Sequence, residues 1–271
     1  MSETTRDFEH VLHVQDLSLI IKNRTILESL SFTIAPGEIF GILGEPGSGK
    51  TITARTIMGI LPPQAQITGG DVFFKNKSIT RNGIAPVRGK EIVMVFHNAR
   101  SALNPTLKIG DQMLDILMTH LDLNKEAAQT RALDQLQSAG FVKPHKIFRS
   151  YVHQLSPDMA QRAMVVMATS CEPDLVIADD PVSLLKSSLQ AETMKFIYNQ
   201  KIKLGFALCF ISHDIALLAA FADRIGVLKD GYIIEQDRTD QLLRAPKNSY
   251  TRQEINARLP QIVSKNETFK I

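Results

Sequence analysis

Apolar positions along this chain fall either into short unbroken runs or into longer stretches with helical spacing, and the two kinds alternate. The run Ile39-Phe40-Gly41-Ile42-Leu43 carries no polar residue, so it reads as a strand buried on both faces. Residues 91–96 are apolar after the first, and residues 175–178 and 206–211 repeat the pattern. Residues 11–21 alternate enough for one or two edge strands, residues 30–34 form another before a turn at Pro36-Gly37, and Gly69-Gly70 opens a short strand over 71–74. A hairpin over 224–234 turns on Asp230-Gly231.

Helical spacing takes over between these runs. The helix after residue 50 runs through Met58 and Leu61 to Pro62-Pro63, where proline stops it. From Ile109 to about Gly140, Met113, Leu114, Ile116, Leu117 and Leu121 share one helical face, and a second helix over 124–138 places Ala132, Leu133 and Leu136 together, with Gly140 as its C-cap. A further helix begins near Ser156. Another, capped by Ser187 with Gln190 three residues on, ends at Gly205 and is followed by one near Ile215. Residues 239–259 read as two short helices, and the tail after Pro260 is polar. This order predicts an α/β fold in a single domain spanning 1–271: a core with a parallel sheet and an antiparallel β subdomain over 10–96 and 174–260, an all-helical insertion over about 97–173, and a tail over 261–271.

The loop after the first buried strand carries the sharpest chemical signal. Gly44-Glu45-Pro46-Gly47-Ser48-Gly49-Lys50-Thr51 fits G-x-x-x-x-G-K-[ST] in full and enters a helical segment at Ile52, which makes the core a P-loop NTPase core. Glycines let successive N–H groups turn inward around phosphate oxygens, Lys50 adds a mobile cation near the β- and γ-phosphates, and the Thr51 hydroxyl can ligate Mg2+. The helix beginning at Gly49 adds its positive dipole end to the same spot. A tight strand-to-helix turn with an incidental lysine is the plainer alternative.

Two more strand ends carry chemistry. In Asp174-Leu-Val-Ile-Ala-Asp179-Asp180 a buried run, expected beside the strand at Ile39–Leu43, delivers a carboxylate where Mg2+ needs a ligand. Asp179 is the metal-side acid, and Asp180 faces the attacking water as general base. An ordinary acid pair capping a helix is the alternative. In Phe210-Ile211-Ser212-His213-Asp214 an imidazole at a strand end can aim at a γ-phosphate, although taken alone His213 reads as a helix-start histidine with Ser212 or Asp214 as the cap.

Composition narrows the classes. With 271 residues, 44 % of them hydrophobic, a sizeable core is available. The net charge of +3 is spread without blocks of one sign, which argues against nucleic acid as the partner. Cys171 and Cys209 lie in apolar surroundings and read as buried free thiols of a reducing compartment. The start is polar and acidic, and the longest apolar run, 215–222, is too short to span a bilayer, so the protein is expected to be soluble and cytoplasmic, docked at most on a membrane partner.

Taken in order, the phosphate loop, helical insertion, signature-like segment, buried strand with acids and strand-end histidine resemble an ABC transporter nucleotide-binding subunit over residues 11–260. Arg100-Ser-Ala-Leu-Asn-Pro105, Tyr151-Val-His-Gln-Leu-Ser156, Met159-Ala-Gln-Arg162 and Asn248-Ser-Tyr-Thr251 are similar to the oligopeptide, dipeptide and nickel importer branch. The resemblance implies ATP and Mg2+ as ligands, with Gly44, Glu45, Pro46, Gly47, Ser48, Gly49, Lys50, Thr51, Ile52 and Ser156 at the nucleotide and Thr51, Asp179 and His97 at the metal. It implies Asp180, His213 and His97 in catalysis. It also implies a second ABC ATPase subunit in a head-to-tail dimer, two transmembrane permease subunits, an extracytoplasmic substrate-binding protein, and a place on the cytoplasmic face of the cell membrane. Some members carry a cysteine-rich C-terminal extension that this chain lacks, which makes it similar to the shorter, nickel-type chains.

Departures from the family pattern are equally specific. His97 stands where the family has a glutamine touching Mg2+ and the attacking water. Asp180 replaces the catalytic glutamate, which withdraws the carboxylate by about 1.5 Å. Loss of a well-placed base costs about 10² to 10⁴ in rate. Lys186 replaces an aspartate that couples the two sites, and no aromatic near Ile21 stacks the adenine, a contact worth about 1 to 3 kcal/mol. The family's Leu-Ser-Gly-Gly-Gln is here Leu155-Ser156-Pro157-Asp158-Met159, in which proline removes a donor and Asp158 opposes the dipole end a phosphate would use. Ser156 as N-cap with Pro157 after it then predicts a helix start that caps itself. The expected function is the ATP-binding subunit of a peptide or nickel importer with reduced or asymmetric hydrolysis. Two alternatives are a regulatory ATP-binding subunit whose partner hydrolyses, and a soluble ABC-type ATPase without a transporter.

Overall fold

The computed structural model describes residues 8–268, with side chains through residue 258, so the first seven residues of the polar start and the last three of the tail lie outside the described residues. The chain divides into two compact units, Met1–Pro86 with Ala207–Ile271, and Val87–Phe206.

The first unit opens with β1 (Leu12–Ile21), β2 (Arg24–Ile34), β3 (Ile39–Leu43), α1 (Lys50–Ile57), β4 (Ala65–Phe74) and β5 (Lys77–Ser78). β1 lies between β2 and β4, antiparallel to both, so residues 11–21 form one central strand rather than edge strands. The imperfect alternation that read as two strands comes from bulges: Asp16 and Ser29 take left-handed φ of 47° and 46°, and the β1–β2 register shifts between Val14 and Leu17. Gly69-Gly70 lies within β4 and does not open it. α1 stops at Ile57, before the prolines, because Gly59 turns left-handed and Ile60 N–H bonds back to Arg55 O at 3.0 Å. Asp71 is buried on β4 and accepts from Ser78 Oγ, Thr80 Oγ1 and its neighbour's amide, with Arg81 Nε 3.0 Å away.

The second unit carries β6 (Ile92–Val95), α2 (Ala99–Ala102), α3 (Ile109–Leu121), α4 (Lys125–Ser138), α5 (Pro144–Arg149), a 3-10 turn at Val152–Gln154, α6 (Pro157–Ala168), β7 (Leu175–Asp179) and α7 (Ser187–Leu204). β6 and β7 pair in parallel and are buried throughout, as their unbroken apolar runs predict. α3 buries Met113, Leu114 and Leu117, while Ile116 and Leu121 of the predicted stripe stay half-exposed. α4 begins at Asn124, whose side chain accepts from Ala127 N–H, and closes where Gly140 turns left-handed. α7 corrects its predicted cap. Lys186 holds the N-cap without a side-chain bond, Ser187 is already helical, and Gln190 Nε2 donates to Leu185 O at 3.1 Å.

The chain then returns to the first unit with β8 (Ala207–Ser212), α8 (Ile215–Phe221), β9 (Arg224–Lys229), β10 (Tyr232–Arg238), α9 (Thr239–Arg244) and α10 (Ser249–Thr268). β8 and β9 both run parallel to β3, one on each side, and β10 returns antiparallel to β9. Both edges of β3 are thereby taken, so the strand bearing Asp179 is not its direct neighbour as expected; sequence order does not dictate spatial order across crossover connections. Asp230 and Gly231 take φ of 49° and 89°, the left-handed pair that the Asp-Gly hairpin predicts. α9 and α10 are the two helices expected over 239–259, but α10 runs on through Pro260 to Thr268, which corrects its short length and the tail from 261: a helix can carry a proline at the loss of one hydrogen bond. Phe32 of β2 stacks on Phe40 of β3, ring centroids 5.2 Å apart, and fastens the antiparallel sheet to the parallel strands of this unit. Cys171 and Cys209 are buried free thiols, as predicted.

Candidate phosphate-binding site

In the first unit β3 ends at Leu43 and α1 begins at Lys50, so the loop between them hangs from a buried strand on one side and a helix N-terminus on the other. Gly49 is the helix N-cap with φ 107°, and a Cβ there would come within 2.8 Å of Leu27 Cδ2, so only glycine serves. Lys50 is 6 % exposed, and its ammonium donates to Gly44 O at 2.6 Å and Glu45 O at 2.8 Å. The cation is thus held at the mouth of its own loop. Glu45, Pro46, Gly47 and Thr51 are exposed around it, and Ile52 is half-buried.

The loop fits a polyphosphate. Ser48 Oγ is buried without a hydrogen-bond partner, the first turn of α1 carries no acid, and a Cβ on Gly44 would fill the cradle, 2.5 Å from Ser48 Oγ and 2.7 Å from Leu228 O. An unpartnered buried hydroxyl and a buried cation beside a helix N-terminus are suited to an anion.

Sequence reading missed two residues that brace this loop. Gly231 N–H donates to Ser48 O at 3.2 Å while its own carbonyl accepts from Glu28 N–H at 3.0 Å, and a Cβ there would meet Ile26 O at 2.5 Å. The Asp-Gly signal predicted a turn and nothing about what the turn touches. Tyr250, on α10, directs its hydroxyl to the Glu45 carboxylate. Burial first, then that bond and the charges of Glu254 and Glu45, push its phenol up to about 12. The Lys229 ammonium lies 4.2 Å from the centre of the same ring.

His213 follows β8 with its side chain exposed, and its carbonyl accepts from Arg258 Nη1 at 2.7 Å. The capping falls to Asp214, whose Oδ1 accepts from Ala216 N–H at 2.9 Å, with Ser212 Oγ accepting from Asp214 N–H.

The second unit holds the remaining candidates. Asp179 closes β7 at 4 % exposure, and Asp180 follows half-buried with φ 48°, its carbonyl bonded by the Ser183 amide and hydroxyl. Aspartate tolerates this left-handed backbone better than a longer side chain would. His97 is exposed in the turn between β6 and α2. That turn is bracketed by Gln161, 2 % exposed, whose amide donates to Phe96 O at 2.7 Å and accepts from Ala99 N–H at 3.2 Å. Arg100 Nη2 donates to Leu155 O at 2.8 Å, which ties the same turn to the residue before Ser156. An amide on an otherwise apolar helix face was the available signal for Gln161.

Ser156 stands at the N-cap of α6 with Pro157 at the first helical position and Asp158 next, but its hydroxyl makes no cap bond. The expectation of a self-capped helix start is corrected: proline already sets the entering φ, so the helix forms without a side-chain oxygen on its first amides. Among the described residues no three of His, Cys, Asp and Glu gather as a cation site. A cavity of about 560 Å³ in the second unit, lined by Arg131, Gln135, Thr169 and Gln200 among others, shares no residue with these positions.

Residues 27–183, more than half of the chain, match the family model described as ABC transporter. The chain is 36 % identical over 252 residues to the dipeptide transport ATP-binding protein DppD of Bacillus subtilis, covering 90 % of this chain and 75 % of that protein. It is 33 % identical over 249 residues to the oligopeptide transport ATP-binding protein OppD of the same organism, covering 89 % and 70 %. Among solved structures, cbiO1 from Clostridium perfringens, described as part of the ABC transporter complex cbiONQ, superposes with a TM-score of 0.75 at 23 % identity over 97 % of this chain and all of that one. The ATP-binding cassette MJ0796, in a dimeric post-hydrolysis state with ADP and Pi, gives 0.72 at 22 % identity over 84 % and 98 %. This chain belongs to the ABC transporter family. No helix among its described residues is long and apolar enough to cross a membrane.

Proposed function

We propose that the chain is the ATP-binding subunit of an ABC importer for peptides or nickel-type chelates, one domain over 1–271, working on the cytoplasmic face of the membrane beneath two permease subunits. The observation that carries this is the glycine-built cradle with the buried Lys50 at its mouth, in a chain 36 % identical to a dipeptide transport ATP-binding protein. Lys50 would exchange the Gly44 and Glu45 carbonyls for phosphate oxygens. The Ser48 hydroxyl and the amides of Gly47 to Thr51 would hold the rest of the chain of charges. Mg2+ would neutralise the β- and γ-phosphates, with Thr51 and Asp179 as its protein ligands and His97 beside them. Asp180 would orient and deprotonate the attacking water, and His213 would bond the γ-phosphate.

A second ABC ATPase subunit would face this one head to tail and bring its own P-loop to Ser156, with an extracytoplasmic binding protein delivering cargo to the complex. Calorimetry tests the first step: Mg2+-dependent uptake of ATP is expected, and Lys50→Ala should abolish it. Co-purification with two permease chains tests the assembly.

The substitutions at His97, Asp180, Lys186 and Pro157-Asp158 favour a second reading, a subunit that binds ATP and leaves most hydrolysis to its partner. Single-turnover hydrolysis by the pair, with Lys50→Ala here against the matching change in the partner, separates the two.

A further inference from the structure

Phe96, His97, Asn98 and Ala99 lead from β6 into α2, and a four-residue turn ordinarily closes by a bond from the amide of its last residue to the carbonyl of its first. Here that bond is split. Ala99 N–H donates to Gln161 Oε1 at 3.2 Å and Gln161 Nε2 donates to Phe96 O at 2.7 Å, so one side-chain amide stands between the two backbone groups. The turn is propped open from α6. Asn98 accordingly has an extended backbone, φ −133° and ψ 98°, and its side chain caps α2 by accepting from Arg100 N–H at 3.1 Å.

Gln161 is 2 % exposed, beside the fully buried Ala160 and Ala163, where an amide is costly unless its oxygen and nitrogen are both bonded. Only one orientation of the amide meets a carbonyl with its nitrogen and an N–H with its oxygen, so the side chain is fixed by the two groups that flank His97 and Asn98. Arg100 answers from the other side. Its Nη2 donates at 2.8 Å to the carbonyl of Leu155, the residue before Ser156 at the N-cap of α6. Each helix thus reaches the entry of the other, once through a buried amide and once through an exposed guanidinium.

We propose that Gln161 is a positioning residue for His97: by standing in for the turn's own closing bond it holds the turn open and presents the imidazole to the metal-bound triphosphate, with Arg100 fastening the same turn to the start of α6. The inference rests on the metal-side role proposed for His97, but the contacts belong to the ligand-free chain. Without Gln161 the Phe96 carbonyl and the Ala99 amide are free to bond each other, which closes the turn and carries His97, lying between them, to a new place. Neither Gln161 nor Arg100 touches the reacting atoms.

Hydrogen exchange on the full-length protein without nucleotide tests the prop. Gln161→Met, close in volume but without the amide, should change exchange of the amides at 97–100 by about tenfold while the rest of the second unit stays within about twofold. Arg100→Ala, at an exposed position that leaves the core intact, should speed the same amides about threefold, and Arg100→Lys, which can still donate to the Leu155 carbonyl, should restore part of the loss. With ATP and Mn2+ in place of Mg2+, the His97 ring signals should broaden in the wild type and lose that broadening in Gln161→Met. In the assembled transporter Gln161→Met should lower turnover about tenfold with ATP affinity within about twofold. Unchanged exchange at 97–100 in both variants, or a uniform rise over the second unit with a matching fall in melting temperature, would overturn the prop. A wild type that binds Mn2+-ATP without broadening of His97 would overturn the placement of the imidazole. The predicted exchange pattern in a protein that takes up no Mg2+-ATP would instead refute the nucleotide reading and leave the support of the turn by Gln161 standing.

Discussion

Two helix N-termini in this molecule start from opposite chemistry. α1 begins after a left-handed glycine, has no acid in its first turn, and keeps a buried lysine and an unpartnered buried hydroxyl beside it. α6 begins after Ser156 with a proline that lacks an N–H and then an aspartate. Both ends present a positive dipole, yet only the first is arranged for a multiply charged guest, because Asp158 already opposes the dipole that an incoming phosphate would use. A helix start suited to an anion and one unsuited to it can therefore coexist in one chain without any change of fold, because capping chemistry is local.

The comparison breaks most easily at Lys50. Lys50→Ala should cut Mg2+-ATP affinity by about 10² or more, read by calorimetry, whereas no single change on the first turn of α6 should approach that on this chain's own binding. Asp180→Glu should raise single-turnover hydrolysis at this subunit's P-loop by about tenfold if the shortened carboxylate is what limits it, with a small stability cost because φ 48° suits aspartate better. Pro157→Gly with Asp158→Gly should raise the ATPase rate of the assembled pair severalfold by giving back a donor and removing an opposing charge, and no gain would count heavily against the erosion of that helix end. Gly231→Val should cost about 1 to 3 kcal/mol in denaturant unfolding and weaken ATP binding, since it forces a β-branched residue to φ 89° against Ile26 O.

The smallest effect concerns pH and lies away from both helix ends. Burial alone would raise the Asp71 carboxyl, but the bonds from Thr80, Ser78 and the Val72 amide and the charge of Arg81 outweigh it and hold the group below its usual 3.8. A folded value below the unfolded one stabilises the protein fully above 3.8, and this contribution fades as pH falls from there through the folded value. Asp71→Asn should therefore lose stability at pH 7 while flattening the acid side of the stability profile, measured by urea titration between pH 3 and 7.

Much of this was readable before any coordinates. The unbroken runs at 39–43, 175–178 and 206–211 announced buried parallel strands, Asp230-Gly231 announced its hairpin, and Gly44 to Thr51 announced a glycine-rich loop from strand to helix. Misreadings cluster where local pattern and long-range pairing disagree. Bulges at Asp16 and Ser29 broke the alternation of a central strand, and Gly59 ended α1 before the more conspicuous prolines.

Local residue types alone were enough to determine the strand runs, the turn chemistry and the glycine-rich strand-to-helix loop, since each depends on neighbours within a few positions. Only the tertiary structure decided that β3 is flanked by β8 and β9, that Gly231 supports Ser48, that Gln161 brackets His97, and that α10 reaches both Glu45 and His213. Those pairings join residues tens to hundreds of positions apart, and no periodicity within a strand or helix encodes which distant partner its exposed groups will meet.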